Sequence, residues 1–362
     1  MFDLNIKIET AAVLKAKPET EEGLGFGKYF SDHMFIIEYD SAQGWHAARI
    51  QPYQKFSIDP ASPVLHYGQE IFEGLKAYRS PKNEILLFRP ADNALRMNRS
   101  AQRMCMPELD VAFQVKAMET LVDIERDWVP YRKGTSLYLR PTMIADGAGL
   151  GVRPASRYYY YIICSPSGAY YPKGMAPIRI HVEDKYVRAV QGGIGSAKTG
   201  GNYAASLKAA REAADRGYDQ VLWLDGRENK YVEEVGAMNI MFLINGTLCT
   251  APLGDSILPG ITRDSVLKLA GSKGIKVEER RISVEDLFNA YKNGSLQEVF
   301  GTGTAAVISP VGEMEYQGRR MIINHGKIGP VTLDMYLTLT EIQTGKIKDP
   351  FTWVRPVNSY FA

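Results

Sequence analysis

The chain has 362 residues, of which 45% are hydrophobic and 23% charged, with 43 Lys and Arg against 41 Asp and Glu. This length suits about two domains that each bury a core, so a small peptide-like module and a mainly disordered chain are both excluded. The net charge of +2 comes without a long basic run, so neither nucleic acid nor anionic lipid is an expected partner. A small-molecule partner is favoured.

Cysteine usage and the N-terminus indicate the compartment. Cys105, Cys164 and Cys249 lie far apart without a Cys-x-x-Cys pair, so neither a disulfide framework nor a metal site is predicted. The first residues mix acids and lysines among apolar side chains, unlike a signal peptide, and no apolar run reaches the roughly 18 residues of a membrane span. A cytoplasmic protein without a membrane partner is therefore expected.

The first half of the chain is predicted to combine short strands with helices. Compact apolar runs predict strands at 34–39, 85–89, 136–144 and 157–164. Spaced apolar residues predict a helix from Asp92 to Met104 and a second over 113–129, which Pro130 would stop. Residues 1–165 are therefore predicted to form a smaller N-terminal α/β domain.

A stretch rich in Ser, Gly and Pro, residues 166–177, is the predicted interdomain loop. Beyond it, strands are predicted at 178–182, 219–225 and 238–244, and helices at 204–217, 262–274, 284–294 and 331–345. Residues 178–362 would form a larger C-terminal domain. The predicted fold class is therefore a two-domain α+β or α/β protein.

The segment GGIGSAKTGGNY, residues 192–203, surrounds Lys198 with glycines. Glycines allow a backbone to approach a ligand closely, and the lysine would aim an amine into that space. The segment matches neither a phosphate-binding P-loop nor a dinucleotide-binding turn. Taken alone, such a loop is more often a flexible surface loop with a solvated lysine.

Two further segments offer hydrogen-bond donors to an anion. In SILPGITRDS, Thr262 is predicted as an N-cap, and the N–H groups of Ile261 and Thr262 would face a phosphate at the helix start. In VFGTGTAAV, the hydroxyls of Thr302 and Thr304 alternate with glycines. Each segment alone is also consistent with an ordinary helix start or tight turn.

A pair of acidic residues, Glu233 and Glu234, lies just before the apolar run MNIMFLI. Adjacent strand residues face opposite sides, so at most one of the two carboxylates points inward. A buried carboxylate needs a partner because an unpaired buried charge is costly. That partner is either a pyridinium nitrogen or a local Arg or Lys.

Nine segments in order carry a resemblance to a known family: LHYGQEIFEGLKAYR, LFRPADNALRMNRSAQRM, LYLRPTMI, SPSGAYYP, SAKTGGNYAASLKAA, QVLWLD, EEVGAMNIMFLI, ILPGITRDS and EVFGTGTAAVISPV. Together they resemble the branched-chain amino acid aminotransferases, which are pyridoxal phosphate enzymes of fold type IV, the D-amino acid aminotransferase-like fold. The resemblance implies a cofactor at the interface of two domains. It also implies a homodimer that acts on small amino acids and 2-oxo acids.

The resemblance assigns the cofactor-binding residues one by one. Lys198 would be the catalytic lysine, which holds pyridoxal phosphate and later moves a proton, the cofactor cycling through pyridoxamine phosphate. Tyr203 would contact the phenolic oxygen of the cofactor, and Glu234 would pair with its ring nitrogen. The phosphate would be bound by Arg89, Arg188, the amides of Ile261 and Thr262, and Thr302.

The resemblance also assigns substrate-binding residues. An aromatic pocket for the branched side chains of Leu, Ile and Val would be formed by Tyr67, Phe72, Tyr138 and Tyr170. The turn of Thr304, Ala305 and Ala306 would bind the α-carboxylate. Arg140 would bind the second carboxylate of 2-oxoglutarate or glutamate. Leu150 and Val152 would complete the active site of the neighbouring subunit.

Two positions depart from relatives within the family. Animal members have a Cys-x-x-Cys pair where this chain has Ala306 and Ser309, so thiol regulation is not expected there. Many relatives have Thr where this chain has Ala237. The alternatives within the fold are a D-amino acid aminotransferase and an aminodeoxychorismate lyase. A non-catalytic cofactor-binding protein and a dehydrogenase fit less well, because Lys198 and Glu234 are both present and the dinucleotide fingerprint is missing.

Overall fold

The computed structural model describes residues 5–170 and 175–359, which fall into two compact units. The first unit contains the described residues up to Tyr170, the short segment Ala197–Gly200, and the C-terminal segment from Glu341. The second contains the described residues of 175–196 and Gly201–Thr340. Two segments predicted for the C-terminal domain therefore pack with the first unit, and residues 171–174 of the predicted interdomain loop lie outside the described residues.

The described residues form strands and helices along the whole chain. The strands are β1 Lys7–Ile8, β2 His33–Asp40, β3 Gly44–Pro52, β4 Glu70–Phe72, β5 Leu75–Arg79, β6 Ile85–Phe88, β7 Ser136–Asp146, β8 Arg157–Ser167, β9 Ile178–Val182, β10 Gln220–Leu224, β11 Val232–Val235, β12 Met238–Ile244, β13 Thr247–Thr250, β14 Val277–Glu279, β15 Leu296–Gly303, β16 Val307–Tyr316, β17 Arg319–Ile322 and β18 Val354–Pro356. The α-helices are α1 Pro63–Tyr67, α2 Pro90–Arg103, α3 Val111–Ile124, α4 Gly200–Ala204, α5 Leu207–Asp215, α6 Ile261–Ser272, α7 Val284–Lys292 and α8 Pro330–Gln343.

Several predicted helix boundaries were wrong, and two of them have a clear physical reason. The helix predicted over 113–129 ends at Ile124, and a separate 3-10 turn occupies Arg126–Trp128. Thr262 is not an N-cap: Gly260 is the N-cap of α6, and Thr262 lies in its first turn. The second error arose because a hydroxyl residue is the commoner N-cap, whereas here the extended backbone of Gly260 starts the helix.

The first unit contains a sheet in the order β1-β3-β2-β8-β7-β5-β6-β18, with β4 also paired to β7. Side chains alternate across the sheet, so Leu137 and Leu139 of β7 lie in a core that also contains apolar residues of α2 and α3. Tyr138 and Arg140 point to the other side of the same strand. This alternation separates a packed face from a face that can bind a ligand.

The second unit contains a sheet in the order β11-β10-β9-β16-β15-β12-β13-β14, with β17 paired to β16. β11 also pairs with β12, so six of these strands close into a ring. Its core includes Ile180, Leu222, Ile240, Phe242 and Val299. Closure holds β11, β12 and β15 side by side, and β11 and β15 carry Glu234 and Thr302 of the predicted cofactor site.

Within the described ranges 5–170 and 175–359, no helix is both long enough and apolar enough to cross a membrane.

Candidate active site

Lys198 is held in the first unit by hydrogen bonds of its own backbone N–H and carbonyl. Its N–H donates to Ser100 Oγ of α2 at 2.9 Å, and its carbonyl accepts from the N–H of Phe72 in β4 at 2.9 Å. The next residue, Thr199, donates its hydroxyl to the Glu70 carbonyl at 2.6 Å. The half-buried Lys198 side chain places Nζ 4.6 Å from the centre of the Phe72 ring. The glycine-rich segment therefore fixes this lysine and does not leave it on a mobile surface loop.

Arg140, a predicted substrate residue, lies over the same Phe72 ring as Lys198. Arg140 donates from a terminal guanidinium nitrogen to Tyr138 Oη at 3.1 Å, and its guanidinium carbon lies 4.8 Å from the Phe72 ring centre. Arg140 Nε is buried and has no hydrogen-bond partner among the described residues. The structure thus brings Phe72, Tyr138, Arg140 and Lys198 together, with one guanidinium donor unused.

Glu70 belongs to this group, although it was not predicted as a site residue. Its carboxylate accepts a hydrogen bond from the Gly200 N–H. Burial raises the pKa of this carboxyl, while the Gly200 N–H and the charges of Arg140 and Lys198 oppose the rise. The only sequence signal for Glu70 was its two-residue spacing from Phe72, which places both side chains on one face of a strand.

Arg89 has a strained backbone at the start of α2. Its φ of 51° is in the left-handed region, and Pro90 follows it at the beginning of the helix. The backbone N–H donates to the Trp353 carbonyl at 2.8 Å, and Nε lies 2.8 Å from Asp92 Oδ2. Because the same helix contacts Lys198 through Ser100, α2 positions both the predicted phosphate-binding arginine and the lysine segment.

Four other predicted substrate residues are largely exposed: Tyr67, Leu150, Val152 and Tyr170. The Tyr67 hydroxyl donates to the Leu150 carbonyl, which links α1 to the loop after β7. Leu150 and Val152 are 66% and 84% exposed. Exposed apolar side chains on this loop are what the predicted homodimer requires, because they would be covered by a neighbouring subunit.

In the second unit, the two neighbouring glutamates face different surroundings. Glu234 is buried, pairs with the Arg188 guanidinium, and lines a small cavity with Tyr203 and Ala237. Glu233 faces another cavity, of about 370 Å³, and accepts a hydrogen bond from the Ser256 hydroxyl at 2.5 Å. Burial raises the pKa of Glu233. Strand alternation thus turns one carboxylate towards Tyr203 and the other away from it.

Arg188 is fixed by acceptors on several segments. Besides pairing with Glu234, its guanidinium donates to the carbonyls of Gly195 at 3.2 Å and Ser256 at 2.9 Å. The positive charge of Arg188 is therefore stabilised by these two carbonyls as well as by the Glu234 carboxylate. The resemblance assigns Arg188 to a phosphate, and the structure places it beside the carboxylate predicted to bind the ring nitrogen.

Asn239 is a second residue that was not predicted from the sequence. Its amide nitrogen donates to Glu234 Oε1 at 3.1 Å and to the Leu258 carbonyl at 3.0 Å. A Cβ atom on Gly260 would collide with Asn239 Oδ1, so glycine is needed where α6 begins. Asn239 also lies directly opposite Thr302 across β12 and β15. It was missed because a single Asn at the start of an apolar strand has no distinctive pattern.

The surroundings of Asn239 suit an anion. The twelve-residue helix α6 begins at Ile261 with no side-chain cap, so its first N–H groups and its dipole favour negative charge. Thr302 Oγ1 is buried with no hydrogen-bond partner among the described residues. The predicted Thr304–Ala306 segment forms a turn between β15 and β16, followed by Val307 with a φ of 63°. A phosphate would supply the acceptor that Thr302 lacks.

Comparison with protein families identifies the class. The family described as amino-transferase class IV matches residues 70–314. Branched-chain-amino-acid transaminase 1 of Bacillus subtilis (strain 168) is 53% identical over 96% of this chain and 98% of that protein. Branched-chain-amino-acid aminotransferase 2 of the same strain is 49% identical over 99% and 98%.

Solved structures agree with these relatives. The crystal structure of the Escherichia coli branched-chain amino acid aminotransferase has a TM-score of 0.75 at 30% identity, covering 90% of this chain and 99% of that one. The T.th. enzyme with pyridoxamine 5′-phosphate has a TM-score of 0.74 at 28% identity, with coverage of 90% and 98%. The chain therefore belongs to the class IV amino-transferases and, within them, to the branched-chain amino acid aminotransferases, which confirms the family and the fold type IV architecture predicted from the sequence.

Proposed function

We propose that this chain transfers the amino group of L-leucine, L-isoleucine or L-valine to 2-oxoglutarate, giving L-glutamate and a branched 2-oxo acid. The observation that carries the proposal is the family membership, at about half identity over nearly the whole chain. The held lysine beside an aromatic ring and a guanidinium supports it. The reaction has two halves, in which the donor leaves its amino group before the acceptor takes it up.

The donor set of the second unit fits pyridoxal phosphate as the cofactor. An unpartnered buried hydroxyl and an uncapped helix start suit its phosphate, and a buried carboxylate suits its ring nitrogen. When bound, pyridoxal phosphate accepts the electrons of a broken Cα–H bond into its ring. We assign the phosphate to Arg89, Arg188, Ile261, Thr262 and Thr302.

Three side chains would act at the reacting centre. The Lys198 amine would attach the cofactor and, once released, carry the proton to and from the substrate Cα. Glu234 would keep the ring nitrogen protonated, with Asn239 fixing its carboxylate through the hydrogen bond at 3.1 Å. Tyr203 would donate its hydroxyl to the phenolic oxygen of the cofactor.

Substrate recognition would combine apolar contacts with two charged ends. Tyr67, Phe72, Tyr138 and Tyr170 would exclude water around the branched side chain, and one methylene would change selectivity by about 1–3 kcal/mol, so all three donors would be accepted. The turn formed by Thr304, Ala305 and Ala306 would bind the α-carboxylate. Arg140 would bind the second carboxylate of the acceptor. Leu150 and Val152 would act in the neighbouring subunit of a homodimer, for which we propose a cytoplasmic location.

An assay with a panel of donors tests the proposal. Purified protein with pyridoxal phosphate and 2-oxoglutarate should form glutamate from L-leucine, L-isoleucine and L-valine, and not from D-leucine. Glutamate formation from D-leucine alone would favour a D-amino acid aminotransferase. Release of pyruvate and 4-aminobenzoate from aminodeoxychorismate would favour the lyase.

The assignment of Lys198 is tested by Lys198→Ala. We expect turnover to disappear, together with the visible absorbance of the lysine-attached cofactor, because no other amine is assigned to attach it. Lys208→Ala is the matched control, since Lys208 is exposed on α5 and pairs with Glu212 there. Full turnover by the Lys198 variant would contradict the assignment.

A further inference from the structure

The two edges of strand β4 bind different parts of the first unit. One edge pairs with β7 in an antiparallel register. The other edge binds the lysine segment, residues 198–200: the Phe72 N–H donates to the Lys198 carbonyl at 2.9 Å, and the Glu70 carbonyl accepts from the Thr199 hydroxyl at 2.6 Å. Both bonds use backbone groups of β4, so most residue types at positions 70 and 72 could form them.

A third bond to the lysine segment depends on the side chain of Glu70. Gly200 begins α4, and the N–H groups at a helix start have no acceptor within the helix. The Glu70 carboxylate accepts a hydrogen bond from the Gly200 N–H. A Cβ atom on Gly200 would collide with Glu70 Oε1, so the two residues are in close contact. The side chain at position 70 therefore decides how firmly the segment is held.

The charges near Glu70 strengthen this third bond. Burial raises the pKa of the Glu70 carboxyl, but the charges of Arg140 and Lys198 favour its ionised form. An ionised acceptor forms a stronger hydrogen bond than a neutral one. The same strand also lies beside the lysine side chain, because Lys198 Nζ is 4.6 Å from the centre of the Phe72 ring. β4 thus contacts Lys198 through both its backbone and its amine.

We propose that Glu70 is a positioning residue for the lysine assigned to catalysis: its carboxylate holds the lysine segment so that the Lys198 amine stays beside the Phe72 ring. The inference rests on the proposed function, because that function makes Lys198 a reacting group. A misplacement of about 1 Å can slow a reaction about 10²-fold, so loosening this segment should lower the rate. Glu70 would act through the segment and not on the substrate.

Hydrogen exchange of the full chain without cofactor tests whether the carboxylate holds the segment. Glu70→Ala should speed amide exchange in the peptide containing residues 198–200 about 10- to 100-fold, as expected when a hydrogen bond to a charged group is lost. Glu70→Gln keeps an acceptor oxygen without the charge, so its exchange should stay within about fivefold of the wild type. Exchange at the wild-type rate in Glu70→Ala would overturn the inference.

The leucine half-reaction of the holoenzyme tests the consequence for the lysine. Glu70→Ala should lower its maximal rate about 10- to 100-fold. The half-saturation concentration for L-leucine should change by less than about threefold, because a positioning residue affects the reacting geometry more than substrate binding. The glutamate half-reaction should slow by the same factor, since the same lysine serves both donors.

Glu70→Gln separates the hydrogen bond from the charge in the same half-reaction. The amide oxygen of glutamine can accept from the Gly200 N–H, so this variant should recover most of the rate lost in Glu70→Ala. An equal loss of rate in both variants would mean that the charge matters and the held segment does not. That result would contradict the positioning role.

Glu21→Ala is the matched control, because Glu21 makes the same kind of bond elsewhere in the first unit. Its carboxylate accepts from the N–H groups of Tyr131 and Arg132 at 2.8 and 2.6 Å. The control should speed exchange at residues 131–132 and leave both the lysine segment and the half-reaction rate unchanged. A slower half-reaction in this control would show that losing any such bond slows the enzyme, and the inference would fail.

A substitute variant and a separate readout keep the test decisive. If Glu70→Ala does not fold, Glu70→Thr takes its place, since threonine favours a strand and has no carboxylate. A wild-type protein that fails to transaminate L-leucine would instead overturn the proposed function. Hydrogen exchange needs no turnover, so the two failures are distinguishable.

Discussion

Each unit buries a glutamate–arginine pair, and the two pairs differ in what surrounds them. In the first unit, Glu73 and Arg96 are 1% and 6% exposed and are joined by two contacts of 2.8 Å. The Glu73 carboxylate also accepts from the Gly74 N–H at 3.2 Å. Arg96 belongs to α2, so the Glu73–Arg96 pair connects that helix to the sheet of the first unit.

In the second unit, Arg188 and Glu234 are nearly as buried, with side chains 9% and 5% exposed. Glu234 nevertheless lines a cavity, and Asn239 links it to a strand that carries the unpartnered Thr302 hydroxyl. Burial of an ion pair therefore does not distinguish structure from function. We propose that they are distinguished by the cavity at the carboxylate and by the unpartnered hydroxyl two strands away.

The largest effect should follow from breaking the first pair. Glu73→Gln would leave the Arg96 charge buried without its carboxylate, and breaking such a pair costs about 3–5 kcal/mol. We expect the free energy of unfolding, measured with urea, to fall by that amount. The folded fraction should retain its leucine half-reaction rate, because Glu73 contacts neither substrate nor cofactor in the proposed site.

The control for this prediction is an exposed ion pair. Glu212→Gln removes the partner of Lys208 on the surface of α5 and should leave the unfolding midpoint unchanged. If Glu73→Gln were as stable as this control, the Glu73–Arg96 pair would not have the structural role proposed for it.

The second pair should respond in rate more than in stability, because Arg188 keeps the carbonyls of Gly195 and Ser256 as acceptors when the carboxylate is replaced. Glu234→Gln removes the charge that would hold the ring nitrogen protonated, and losing one such electrostatic contact slows catalysis about 10²–10³-fold. Cofactor binding should persist, and stopped-flow measurement of the leucine half-reaction gives the rate. Glu233→Gln is the matched control one residue away, since it faces the other cavity. Equal rates for the two variants would contradict the distinction between the glutamates.

The sequence predicted the elements whose apolar periodicity is clean and missed those that depend on pairing. The strands predicted at 178–182 and 238–244 coincide with β9 and β12. β3 and β15 were not predicted, because Trp45, His46 and the glycines of GTG interrupt their patterns. Both strands are stabilised by neighbours on each side, which no local pattern reports.

Site residues could be predicted where a local sequence motif contains them. They could not be predicted where strand pairing brings them to the site. The glycines around Lys198 and the doubled Glu233–Glu234 are visible in the sequence. Asn239 gains its position from a cross-strand neighbour far away in the chain, Thr302. It is an ordinary polar residue in a strand until that register is known.

The smallest expected effect concerns the unpartnered Thr302 hydroxyl of the second unit and tests whether it marks the cofactor site. Thr302→Val removes a buried hydroxyl that has no protein partner, so stability without cofactor should be unchanged or slightly increased. A hydrogen bond to a charged phosphate is worth about 1.5–3 kcal/mol, so the Kd for pyridoxal phosphate should rise roughly 10- to 100-fold. Fluorescence titration of the cofactor and urea unfolding of the cofactor-free protein measure the two quantities.

Thr250→Val is the matched control, because both threonines are 1% exposed and lie in the same sheet. The Thr250 hydroxyl donates to the Ile240 carbonyl at 2.6 Å, so its loss should destabilise the fold by about 1 kcal/mol and leave the Kd unchanged. The two variants should thus show opposite patterns, one in binding and one in stability. Thr302→Val could instead behave like Thr250→Val. An unpartnered buried hydroxyl would then not mark the binding site. The contrast between the Glu73–Arg96 and Arg188–Glu234 pairs would in that case rest on free volume alone.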